Sequence, residues 1–161
     1  MENKITIPHV PFFFIRHGET DWNKFQQALC YQDDTPLNET GLLQATNVRE
    51  QINLLGITKI YASPLVRAQQ TAEIINNLLQ VPLELHVGLR EVTHRLLAPA
   101  FIEILQPLHT TLIVSHGNVY RLLVSLLDAQ TTELKAKNCG VYFFRPPTKD
   151  SGQWTVHAVN L

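Results

Sequence analysis

Charge is scarce in this chain. Asp, Glu, Lys and Arg make up 17% of its 161 residues, and the 13 basic and 14 acidic side chains leave a net charge of -1; a typical globular domain carries about a quarter charged residues. With no basic excess to hold a polyphosphate backbone or an anionic bilayer, partners among nucleic acids and membranes are not expected. Cysteine is equally sparse. Cys30 and Cys139 stand far apart with no CxxC spacing, which supports neither a disulfide framework nor a thiolate zinc site and points to a reducing compartment. Long apolar runs are missing too. Residues 10–15 contain Pro11 and stop at Arg16, too short for a signal-peptide core, and no later run reaches the roughly 18 residues of a membrane span. These absences predict a soluble, cytoplasmic protein.

What is present is an ordinary share of apolar residues, 45%. That rules out general disorder and can build a core without disulfides or metals. The length predicts a single domain over residues 1–161. Short apolar runs alternate with amphipathic stretches. Residues 9–15 read as a buried strand, with Phe12, Phe13, Phe14 and Ile15 in unbroken succession. Asn38 caps a helix whose Leu42, Ala45, Val48, Ile52 and Leu55 recur at spacings of three and four, and Gly56 ends it. A strand follows over 57–62. Ser63 then caps a second helix with Pro64 in its first turn, and its inner stripe is Leu65, Ala68, Ala72, Ile75 and Leu79. Strands are predicted at 83–87 and 110–115, a weaker helix interrupted by Pro99 at 96–105, and a strong helix at 117–129. Strands at 141–144 and 154–159 close the chain around a Lys149-Asp150-Ser151-Gly152 turn. The alternation predicts an α/β fold: a three-layer α/β/α sandwich with a largely parallel sheet and an antiparallel edge hairpin.

Two polar clusters directly follow apolar strands: Arg16-His17-Gly18-Glu19-Thr20 and Ser115-His116-Gly117-Asn118. In an open α/β sheet, ligands bind beyond the carboxyl ends of the strands. Two His-Gly pairs at such ends can face one crevice, where glycine lets a phosphate approach the backbone and a helix start offers free N–H groups. By themselves these pairs do not define a reaction, and a lone histidine after a strand is more often structural.

The wider pattern does define one. Arg16-His17-Gly18-Glu19-Thr20-Asp21-Trp22-Asn23 resembles the signature of the histidine phosphatase superfamily, in its phosphoglycerate-mutase-like branch. Asp34-Thr35-Pro36-Leu37-Asn38-Glu39-Thr40-Gly41 with Gln44-Ala45, then the block from Tyr61-Ala62-Ser63-Pro64-Leu65-Val66-Arg67 to Thr71-Ala72, resemble its next two blocks. Leu89-Arg90-Glu91 resembles its acidic block and Val114-Ser115-His116-Gly117 its second histidine block.

The resemblance implies roles residue by residue. His17 matches the nucleophile that attacks phosphorus and forms a phosphohistidine, its other ring nitrogen held by a backbone carbonyl. Arg16, Arg67 and His116 match donors around the phosphoryl oxygens, where planar guanidinium forks suit paired contacts. Asn23 matches a further neutral phosphate donor, and the backbone N–H of Asn118 is placed to reach the same group. Glu91 matches the general acid for the leaving oxygen and then the base for water. Glu19 has a supporting role only. The competing reading of Arg67 is a surface ion pair with Glu73, and that of Glu91 an exposed strand-end carboxylate. No metal or other cofactor is implied. His9, His86, His94, His109 and His157 have no metal-ligand spacing and read mostly as structural or exposed.

Three departures from the family pattern bear on the substrate. Cys30-Tyr31-Gln32 stands where many relatives carry Gln-Gly. Val92-Thr93-His94-Arg95 follows Glu91 in place of a Gly-x-Trp-Glu-Gly run. Residues 92–115, 24 in all, separate Glu91 from His116, where relatives hold a longer helical insertion. His94 and Arg95 are either substitute substrate contacts or exposed polar residues. A less covered pocket favours hydrolysis over mutase chemistry, which must exclude water from the phosphohistidine. The expected activity is therefore hydrolysis of phosphate monoesters on a phosphorylated small molecule. The alternatives are a protein phosphohistidine phosphatase acting on a phosphoprotein, or a weakly active phospholigand-binding regulatory module.

Overall fold

In the computed structural model, which describes residues 7–25, 34–91 and 94–160 (His94 and Arg95 as backbone only), the apolar runs form one six-stranded sheet. The strands are β1 (Phe12–Arg16), β2 (Lys59–Ala62), β3 (Leu83–Leu85), β4 (Thr111–Ser115), β5 (Val141–Arg145) and β6 (Thr155–Ala158), in spatial order β3-β2-β4-β1-β5-β6. The first four run parallel, with Phe14 opposite Ile113 and Tyr61 opposite Ile113 on its other side. β5 is antiparallel to β1 and β6 is antiparallel to β5, the predicted edge hairpin. The helices are α1 (Asp21–Lys24), α2 (Glu39–Asn53), α3 (Val66–Leu79), α4 (His94–Ile104) and α5 (Gly117–Leu126).

Side chains alternate across a strand, and here both faces are covered. Phe12, Phe14, Tyr61, Ile113, Tyr142 and Phe144 pack against Leu97, Phe101 and Ile104 of α4 and Tyr120 and Leu123 of α5. Ile15, Ile60, Ala62, Leu112 and Val114 pack against Ala45, Val48 and Ile52 of α2 and Ala68, Ala72 and Ile75 of α3. This double cover is why residues 12–15 read as a continuous apolar run, and it makes the three-layer α/β/α sandwich. Phe12 and Phe144 stack at 4.6 Å across the β1–β5 pair. Each such fully buried ring contributes about 1.5–3 kcal/mol.

Asn38 caps α2 as expected, its Oδ1 accepting from the Gly41 amide at 2.8 Å. The start of α3 differs from the expectation. The helix begins at Val66, the N-cap is Leu65, and no side chain of its own segment caps it. The Val66 amide donates instead to Asp34 Oδ1 at 2.7 Å. Ser63 is drawn into the end of the sheet, where its amide donates to Val114 O at 2.9 Å. α4 passes through Pro99 without interruption. A helical proline forfeits one hydrogen bond and can cost about 3 kcal/mol. Burial of Leu97, Ala100, Phe101 and Ile104 on the sheet offsets that loss. α5 stops at Leu126, short of the expected Ala129, because Asp128 takes a left-handed conformation at φ +46°.

Candidate active site

The carboxyl ends of β1, β2 and β4 converge on one spot beside the start of α3 and α5. Backbone bonds lock this end: the His17 amide donates to Ser115 O at 3.0 Å, and the Ser63 amide to Val114 O. Arg16 and His17 leave β1, Ser63 follows β2, and Ser115 and His116 leave β4. Ser115 Oγ donates to Leu89 O at 2.8 Å, which ties the 3-10 turn Val87–Leu89, and with it Glu91, to the same end. In an open parallel sheet this is the end where ligands bind.

His17 is 1% exposed. Its Nδ1 lies 2.7 Å from Gly18 O; a carbonyl only accepts, so Nδ1 carries the proton and Nε2 keeps its lone pair. Burial and the neighbouring Arg67 and Arg16 hold the ring pKa down at about 3, although the Gly18 bond opposes them. His116 is fully buried, with its ring centroid 5.2 Å from that of His17. Its pKa is well below the ordinary value, first through burial and then through His17, Arg67, Arg16 and Arg90. Both rings are therefore neutral at pH 7.

Arg67, in the first turn of α3, is 3% exposed. Its Nη2 lies 2.6 Å from Glu91 Oε2, and its Nη1 3.9 Å from Asp34 Oδ1. Glu73, the partner in the competing reading, accepts from Gln69 instead. Glu91 is mostly buried; its Oε2 lies 3.7 Å from His116 Nδ1, and its Oε1 accepts from Asn118 Nδ2 at 3.4 Å. Asn118 Oδ1 accepts from Arg121. Arg16 donates through Nη1 to Ala136 O at 3.0 Å. Burial lowers its pKa, while the Glu91 carboxylate works in the opposite direction. The Arg16 side chain lies against the first turn of α5, its Nε 3.4 Å from where a Cβ on Gly117 would sit. Three buried nitrogens in this cluster have no hydrogen-bond partner among the described residues: Arg16 Nε, Arg67 Nε and His116 Nδ1. No side chain caps α5 either, so its first-turn amides face the same end.

The structure thus brings Arg16, His17, Arg67, Glu91, His116 and Asn118 together. Asn23 sits beside them in α1: its Oδ1 accepts from the Thr20 amide and from Asn138 Nδ2, both at 3.2 Å, which leaves its Nδ2 as a donor. Glu19 accepts from Asn38 Nδ2 at 3.0 Å, a bracing contact. His86 accepts from the Gly88 amide and meets Glu103, a structural role. Cys30, Tyr31 and Gln32 lie outside the described residues, as do the side chains of His94 and Arg95. Among the described residues, no group of three or more His, Cys, Asp or Glu side chains is placed to hold a metal ion, and no helix is long and apolar enough to cross a membrane.

Four contributors went unread in the sequence. Ser63 Oγ meets His116 Nε2 at 2.8 Å. Thr71 Oγ1 accepts from the Gly18 amide and donates to Arg67 O, coupling the two site loops. Asp34 caps α3 just before Arg67. Asn138 Nδ2 donates to His17 O at 3.0 Å, and the next amide, Cys139, donates to Arg16 O at 3.0 Å. The first three stood inside the recognised blocks. Asn138 carried no local signal, because its partner is 121 residues away.

A mixed α/β sheet thus carries two histidines, two arginines and a glutamate at one end. The chain belongs to the histidine phosphatase superfamily (branch 1), whose family model matches residues 12–97. Over 69 residues it is 48% identical to an uncharacterized phosphatase PhoE of Bacillus subtilis, covering 43% of this chain and 35% of that one. Over 95 residues it is 40% identical to a probable phosphoglycerate mutase GpmB of Yersinia enterocolitica, covering 59% of this chain and 44% of that one. The chain thus spans less than half the length of these curated relatives. Among solved structures, it is similar to mycobacterial glucosyl-3-phosphoglycerate phosphatase, solved with inorganic phosphate, at a TM-score of 0.74 and 17% identity over 94% of this chain and 97% of that one. It is also similar to phosphoserine phosphatase of Entamoeba histolytica, at 0.71 and 21% over 94% and 97%. At such identities the likeness concerns the fold.

Proposed function

We propose that this protein is a phosphatase that hydrolyses phosphate monoesters of small molecules through a phosphohistidine at His17. The observation that carries the reading is the His17 Nδ1 contact to Gly18 O, which commits the proton to Nδ1 and leaves the Nε2 electron pair for phosphorus. The neutral state of the ring at pH 7 supports it. Arg16, Arg67, His116 and Asn23, with the Asn118 amide, serve as donors to the phosphoryl oxygens. The unpartnered Arg16 Nε, Arg67 Nε and His116 Nδ1 are the groups an oxyanion would satisfy.

In the first step His17 Nε2 attacks phosphorus, the P–O ester bond breaks, and Glu91 as the acid gives its proton to the leaving oxygen. A phosphate that takes Arg67 frees Glu91 from its ion pair, and the freed carboxylate takes up from solvent the proton that it then gives. In the second step Glu91 as the carboxylate takes a proton from water, the hydroxide attacks phosphorus, and the P–N bond breaks to restore His17. The short connection between Glu91 and His116 favours water as acceptor over a second hydroxyl of the substrate. All of the phosphoryl charge is met by this chain's own cations and N–H groups, so the scheme is independent of a metal.

The test is phosphate release from p-nitrophenyl phosphate by wild type and His17→Ala in the presence of chelator, with mass detection of phosphohistidine after an alkaline quench. Release that His17→Ala abolishes, with the phosphoryl adduct on His17, is expected. Equal inactivity of both proteins with retained phosphate binding would instead make this a phospholigand-binding module. A panel of phosphorylated metabolites and phosphohistidine peptides then separates the small-molecule reading from the protein-directed one. Phosphoglycerate mutase turnover above phosphate release would overturn the preference for hydrolysis.

A further inference from the structure

We propose that Ser63 is a positioning residue: its hydroxyl donates to His116 Nε2 and holds the neutral ring as the Nδ1–H tautomer. The proposal deepens the phosphatase reading only in what the tautomer is for; the tautomer itself follows from hydrogen-bond accounting. A serine hydroxyl has one proton to give and two lone pairs to receive with. Ser63 and His116 are both fully buried, so each of these groups needs a partner within the protein.

Ser63 Oγ receives the Leu65 amide at 3.3 Å and stands 2.8 Å from His116 Nε2. Among the described residues, that nitrogen is the one acceptor within reach of the hydroxyl proton. If Nε2 carried the ring proton, Ser63 would accept twice and its own proton would be buried without an acceptor. The lone pair of Nδ1 would then point toward Glu91 Oε2, 3.7 Å away and also an acceptor. If Nδ1 carries the proton, both conflicts vanish. The Nδ1–H then lacks only an acceptor, which a phosphoryl oxygen would supply. The Ser63 backbone is pinned to β4 through Val114 O, so the hydroxyl is presented from a fixed point.

This also accounts for the start of α3. A serine that capped its own helix would accept from the first-turn amides. Asp34 takes over the Val66 amide, and Ser63 is left to orient His116.

The test uses the full chain labelled with nitrogen-15 on histidine. Two-bond proton–nitrogen correlation at pH 7 separates the two tautomers, and His116→Gln assigns the signal. Wild type is expected to show His116 protonated on Nδ1. Ser63→Ala is expected to move the proton to Nε2 in part or whole and to lower kcat on p-nitrophenyl phosphate about tenfold or more. Ser63→Thr, which keeps the hydroxyl, is expected to restore both. An Nε2–H ring in wild type overturns the proposal, as does an unchanged tautomer in Ser63→Ala. Absence of phosphatase activity in wild type would sink the function proposed above while leaving the tautomer assignment to stand or fall on the spectrum.

Discussion

Acid should destabilise this fold through its site before it does so through its surface. His17 and His116 are buried as neutral rings beside two arginines, and the unfolded chain returns each to an ordinary histidine near pH 6.5. A folded pKa below the unfolded one means that the unfolded state binds the extra proton. The stability held by neutral His17 is therefore fully present above about pH 6.5 and is lost as pH falls toward about 3. Between pH 7 and pH 5, one such ring costs about 2 kcal/mol, at about 1.4 kcal/mol per pH unit below the unfolded value. That is a sizeable part of a typical 5–15 kcal/mol, and His116, shifted in the same direction by burial, adds to the loss. Urea unfolding at pH 7 and pH 5 measures the loss. His17→Asn removes one titrating ring, so its own loss over that interval should be about 2 kcal/mol smaller than that of wild type, whatever its absolute stability. An equal loss in wild type, His17→Asn and His116→Asn would refute the reasoning, because it would mean that neither ring is held neutral by the fold.

Three further outcomes are expected. Arg67→Ala removes the cation that pairs with Glu91 at 2.6 Å; kcat/KM on p-nitrophenyl phosphate should fall about a hundredfold or more, and an unchanged value would remove Arg67 from the site. Gly41→Ala drives a Cβ into Glu19 O, a backbone atom that cannot step aside. Its thermal unfolding midpoint should drop by several degrees, for an overpacking cost of about 1–3 kcal/mol, and activity should fall as the loop carrying His17 shifts. Cys139 is buried and its thiol is pushed up to about 12, so it should resist iodoacetamide at pH 8 in the folded protein and react in urea, as read by peptide mapping.

Much of the fold was legible because its signals are local. The unbroken run at residues 12–15 marked a strand covered on both faces, and the spacing of Ala45, Val48 and Ile52 marked one face of α2. Asn38 announced the start of that helix, and its side chain makes the bond its position implied. Pro99 misled, because a local cost of a few kcal/mol was offset by contacts between α4 and the sheet that no window of sequence contains.

The site divides along the same line. Residue type and order alone picked out the side chains proposed to carry the chemistry: Arg16, His17, Arg67, Glu91 and His116 stand in recognisable blocks, and each is of a type whose charge, lone pair or proton the proposed reaction needs. What only the tertiary structure decided is how those groups are held. The proton of His17 is committed by Gly18 O, Ser63 turns from its own helix to His116 because Asp34 caps that helix, and Asn138 reaches back across the chain to His17. A buried polar group takes whichever partner packing brings within about 3 Å. That choice is made by strand order and loop crossings, and it is written at no single place in the sequence.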